Sequence, residues 1–91
     1  SNDVVRLYNA GSSLAYPTIG RKRAIVHLLN YSGRPAGHLM SLYIARQFDR
    51  ARFTDLSGRS QELKTERKGE GTEVNLPVFI SYGAVDFGES A

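Results

Sequence analysis

Apolar and polar residues alternate along this chain in short runs, and turn formers interrupt them about every 8–12 positions, as in a sandwich or barrel. The alternation is cleanest in Thr72-Glu73-Val74-Asn75-Leu76, where a strand would turn Val74 and Leu76 inward and Glu73 and Asn75 outward, before Pro77 ends it. Residues 82–87 repeat the pattern, with Val85 and Phe87 toward the core, and residues 38–45 place Met40, Leu42 and Ile44 on one face. Residues 23–31 are nearly continuous in apolar side chains, the mark of a central strand or one covered on both faces. Strands are also expected over residues 3–8 and 50–54. Asp55-Leu56-Ser57-Gly58 has the composition of a tight turn, and it brings residues 61–66 back as a polar, exposed strand. Residues 14–20 contain Pro17, which lacks the donor a central strand needs, so they read as a loop or edge segment. A helix over residues 39–48 is disfavoured by the absence of a capping residue and by the β-branched and aromatic content. The expected fold is all-β: a small antiparallel β-sandwich, immunoglobulin-like, of about seven strands.

Composition narrows this picture at a few points. A chain of 91 residues builds one core, so residues 1–91 are read as a single domain. The absence of cysteine excludes disulfides, thiolate metal sites and a Cys nucleophile. No apolar run reaches the roughly 20 residues of a membrane-spanning helix. Ser1-Asn2-Asp3 carries neither an initiating Met nor the basic-then-apolar pattern of a signal peptide, so the chain is read as a fragment of a larger protein. The net charge of +3 is a mild excess of the kind that keeps a small domain in solution.

Catalytic chemistry finds little purchase. His27 sits mid-strand and His38 opens a strand, and neither belongs to a metal or general-base motif. Asp49, Asp55, Glu62, Glu66, Glu70 and Glu73 fall in turns or on polar strand faces, not as a buried acid–base pair. Asp86 interrupts the apolar last strand, in an outward position. Ser41 and Ser81 lack a nucleophile-elbow context, and Gly58, Gly69 and Gly71 read as turn residues needing positive φ. No catalytic residue, cofactor or metal is therefore assigned. Arg21, Lys22, Arg23, Arg46, Arg50, Arg52 and Arg59 would suit nucleic acid if clustered on one face, although interspersed acids favour a solvated surface. Tyr8, Tyr16, Tyr31 and Tyr43 are the candidate ligand or docking surface, because exposed aromatic rings stack on sugars; packing within the sandwich is their ordinary role. Tyr82 is placed to make a corner bond to backbone.

One resemblance adds to this reading. Ala24-Ile25-Val26-His27-Leu28-Leu29-Asn30-Tyr31-Ser32, then Leu42-Tyr43-Ile44, Ala51-Arg52-Phe53 and Leu63-Lys64, resemble the C-terminal β-sandwich domains that follow the catalytic barrel in several glycoside hydrolases. Gly71-Thr72-Glu73-Val74-Asn75-Leu76-Pro77 with residues 82–87 looks like the closing hairpin of such domains. The resemblance spans residues 23–87, consists of strand patterns, and carries no catalytic residue. It implies a non-catalytic accessory domain that packs on and stabilises the catalytic domain of the same parent chain, in the periplasm or outside the cell. The alternatives are a carbohydrate-binding module using surface tyrosines and a nucleic-acid-binding β-domain.

Overall fold

The computed structural model describes residues 4–9, 13–35 and 40–89. His38 and its neighbour Leu39 lie outside the described residues. Nine strands and no helix occur among the described residues. They are β1 (Val5–Tyr8), β2 (Ser13–Ile19), β3 (Arg23–Asn30), β4 (Ser41–Ile44), β5 (Arg50–Asp55), β6 (Ser60–Leu63), β7 (Glu66–Lys68), β8 (Gly71–Asn75) and β9 (Tyr82–Gly88). All pairings are antiparallel, in one sheet of order β1-β4-β8-β7 and another of order β2-β3-β9-β5-β6. The hairpins β2–β3, β5–β6 and β7–β8 stay within a sheet, and every other connection crosses between sheets. The result is the small β-sandwich that the alternation predicts.

The core is the sum of the inward positions. Ala24, Val26 and Leu28 of β3, Ala51 and Phe53 of β5, and Val85 and Phe87 of β9 face Leu42 and Ile44 of β4 and Val74 of β8, all buried. Met40, Phe48, Leu76 and Phe79 close it from the connections. Phe48 packs on Phe87 with ring centroids 5.5 Å apart, and Phe53 on Phe79 at 5.8 Å. Each aliphatic or aromatic side chain buried in this way contributes about 1.5–3 kcal/mol. With neither disulfide nor thiolate metal available, sheet packing carries the stability of the domain.

Two segments account for nine strands where about seven are expected. Residues 14–20 do form an edge strand, β2, with Pro17 exposed and β3 as its one strand partner. Residues 61–66 do not form one strand: β6 pairs with β5, and after Lys64-Thr65 the chain passes to the other sheet, where β7 pairs with β8. Gly58 and Gly69 have the expected positive φ, at 91° and 59°. Gly71 does not. A Cβ there would collide with the Tyr43 ring and the Ile44 carbonyl oxygen, so close approach of β4 excludes a side chain. Thr72 also turns inward, where its hydroxyl accepts from the Phe48 amide at 2.9 Å and donates to the Arg46 carbonyl at 2.7 Å.

The two ends of the described chain converge. The Ala45 amide donates to the Val4 carbonyl at 2.7 Å, and the Asp49 amide donates to the Gly88 carbonyl at 3.3 Å. The Arg46 guanidinium staples the same segment to the β2–β3 turn through the carbonyls of Gly20 and Arg21, lying 5.3 Å above the Phe48 ring. The β5–β6 turn, the chain after β3 and the β8–β9 connection lie at the opposite end of the sandwich.

Candidate functional site

The outer face of the five-stranded sheet divides chemically. Strand alternation and register set Leu14, Leu29 and Tyr82 in one cross-strand row, and Tyr16, His27, Ala84 and Thr54 in the next. The following row, from Thr18 and Ile25 to Asp86, Arg52 and Glu62, becomes charged toward β6. An apolar and aromatic half over β2 and β3 thus adjoins a polar half over β5 and β6.

Of the four candidate tyrosines, the fold brings two together. Tyr16 and Tyr31 are 47% and 61% exposed. The neighbouring Tyr16 side chain, helped by desolvation, pushes the Tyr31 pKa above its ordinary value. Tyr8 and Tyr43 belong to the other sheet, in β1 and β4, with Tyr43 lying over Gly71. The candidate quartet is therefore two pairs on opposite layers.

His27 lies opposite Tyr16 and stacks on Tyr82, with ring centroids 5.9 Å apart. Its Nδ1 meets the Tyr82 hydroxyl at 2.5 Å. That bond takes the hydroxyl which the corner arrangement would have directed to backbone. No spacing rule could have paired residues so far apart in sequence; the cross-strand register does.

A second surface lies at the end of the sandwich away from Val4 and Gly88. Pro35, Leu56, Val78 and Ile80, with Asp55 and Ser81, line a groove of about 470 Å³. Leu56, Val78 and Ile80 are 71%, 55% and 60% exposed. Asp55 builds this end locally: its Oδ1 accepts from the Ser57 amide at 3.0 Å, the Ser57 hydroxyl at 2.6 Å and the Arg59 amide at 3.0 Å. These bonds, led by the Ser57 hydroxyl, hold the Asp55 carboxyl below its ordinary pKa and fix the turn that carries Leu56. The alternation of strands carries no signal for this groove, because its aliphatics stand in connections.

Two of the basic candidates, Arg23 and Arg52, form ion pairs. Lys22, Arg23, Arg50 and Arg52 do converge on one shallow cleft, but Glu62, Asp86 and Glu89 line it with them. Asp86 points outward as expected and pairs with Arg23 at 3.0 Å; Arg52 pairs with Glu62 at 2.8 Å. This is a charge-paired cleft, unlike the unbalanced basic stripe that tracks phosphates. Among the described residues no group of His, Asp and Glu is placed to hold a metal ion, and no helix is long and apolar enough to cross a membrane.

Compared with known proteins, the chain matches no family model and no curated sequence.

Proposed function

We propose that this β-sandwich is a non-catalytic accessory domain of a polysaccharide-acting enzyme, and that it docks on the catalytic domain of its parent chain through the groove lined by Leu56, Val78 and Ile80. The observation that carries this reading is chemical. Three large aliphatics stand more than half exposed around one groove, where water gains nothing from them and a partner's apolar surface would. The Asp55 turn presents Leu56 rigidly, which lowers the ordering cost of docking. The strand patterns of residues 23–87 supply the class of partner, through their similarity to domains that follow glycoside hydrolase barrels.

The test compares the full-length parent protein with the 91-residue chain by amide hydrogen exchange. Docking predicts added protection at residues 55–58 and 78–81 in the parent. Leu56→Asp would then lower the parent's melting temperature while leaving that of the isolated chain unchanged. Equal exchange in both proteins, or a reading frame with no catalytic barrel, overturns the reading.

A further inference from the structure

The charged half of the five-stranded sheet's outer face contains a gap. Arg23 of β3 and Arg50 of β5 both lie opposite Gly88 of β9, one strand to either side of it. Their neighbours Ala24, Ala51 and Phe87 are buried, so alternation turns Arg23, Gly88 and Arg50 to the outer face. The two arginines stand about 10 Å apart at Cα, two strand spacings, with no side chain between them in the register. Nothing local requires glycine here. The φ of Gly88 is not positive, and a Cβ there would meet nothing within 4 Å. A larger residue would fit and would fill the gap. Glycine keeps it open, as part of the wall of a cleft of about 420 Å³.

The charges around the gap do not cancel. Lys22, Arg23, Arg50 and Arg52 line the cleft against Glu62, Asp86 and Glu89, four cations to three carboxylates. Asp86 is taken by Nη2 of Arg23, and Glu62 by Nε of Arg52, which leaves the other guanidinium nitrogens of both arginines to a ligand. Among the described residues, no ion pair or side-chain hydrogen bond engages Lys22, Arg50 or Glu89.

We infer that this cleft binds a uronate unit of an acidic polysaccharide, with the sugar carboxylate over Gly88 between Arg23 and Arg50. The planar fork of a guanidinium matches a carboxylate through paired hydrogen bonds. One added negative charge balances the lining, whereas a polyphosphate would bring several and meet Glu62, Asp86 and Glu89. Those same carboxylates call for donors. The hydroxyls of a sugar supply them, while an acidic peptide segment adds carboxylates and few donors. The sugar class rests on the polysaccharide reading proposed above. The cleft lies beside Gly88, at the other end of the sandwich from the docking groove, so both can be occupied at once.

The trisaccharides of galacturonate and of glucuronate are the probes, titrated into the 91-residue chain. The methyl ester of the first is the uncharged counterpart, and hexaglutamate the acidic peptide. Two-dimensional NMR of the amides locates binding, and calorimetry measures the affinity. Saturable binding of a uronate is expected, with shifts confined to residues 22–23, 50–52, 62 and 86–89. Gly88→Val fills the gap without altering a charge and should weaken binding about tenfold or more. Arg50→Gln should do the same, and it carries the test if the Gly88 variant fails to fold. Arg59→Gln removes an equal charge at the β5–β6 turn and stays within about twofold, which separates a built site from attraction to net charge. The inference is overturned if neither uronate binds at millimolar concentration, if the methyl ester binds as tightly, or if a variant at Gly88 or Arg50 binds unchanged while circular dichroism shows it folded. Tighter binding of hexaglutamate would likewise overturn it, by giving the cleft to an acidic protein segment. Leu56→Asp should bind uronate like the unaltered chain. A failed titration thus leaves the hydrogen-exchange test of docking standing, and a parent without a catalytic barrel leaves the titration standing.

Discussion

Asp55 ties one side chain's ionisation to the shape of a binding surface. Its carboxylate accepts three hydrogen bonds inside a single turn, and the same turn carries Leu56 into solvent. Those bonds favour the charged form and hold its pKa below the ordinary value of about 3.9. A folded-state pKa below the unfolded one adds stability above the unfolded value, and that stability disappears as pH falls through the folded value. Asp55→Asn is therefore expected to melt at a lower temperature than the unaltered chain at pH 7. The gap should begin to narrow below about pH 4 and close once pH has fallen through the lowered folded-state value, where both carry a neutral side chain. Thermal melts by circular dichroism across that range check it, and a gap that widened in acid would contradict the assignment.

At the scale of elements, Thr72 shows how connections are locked to strands. Its hydroxyl joins β8 to the Arg46-Gln47-Phe48 segment between β4 and β5, satisfying a buried amide and a carbonyl at once. Thr72→Val keeps the shape and leaves the Phe48 amide without its partner, a loss of about 1–3 kcal/mol in urea unfolding. Thr72→Ser should recover most of it. The same scale explains what could be read from sequence. Residues with a strong in-and-out signal, such as Val74, Val85 and Phe87, declared their strands and their faces. Gln61 to Lys68 is polar but for Leu63 and mostly exposed, so nothing in its pattern marks the passage from one sheet to the other at Lys64-Thr65. Tyr16 and Tyr31 were legible as candidates from residue type alone. Their pairing was not, because it depends on a β2–β3 register and on the loop after β3, and the separation of Tyr8 and Tyr43 onto the other sheet depends on topology. Gly71 was misread for a related reason: a close approach from β4 looks, in sequence, like a turn.

Over the whole molecule, the order of strands in space departs from their order in the chain. The last strand, β9, lies between β3 and β5 and carries Val85 and Phe87 into the centre of the core. Without it the five-stranded sheet falls into two separate hairpins, β2–β3 and β5–β6, and isolated hairpins are marginal in water. A chain ending at Ser81 is accordingly expected to lack cooperative unfolding and the far-ultraviolet signature of a sheet, as circular dichroism would record. A truncated chain that still melted sharply would show that the first eight strands suffice.

The central place of β9 has a consequence during synthesis. While a ribosome is still adding Tyr82 to Gly88, the β3 and β5 edges and the apolar faces they share have no partner, and the nascent chain is at its most vulnerable to chaperones, proteases and its own neighbours on the polysome. The five-stranded sheet closes in a late step, once β9 clears the exit tunnel and joins the two hairpins. A premature stop close to the end of this sequence would therefore discard the whole fold, where the same lesion in a protein with its last strand at an edge would merely trim it.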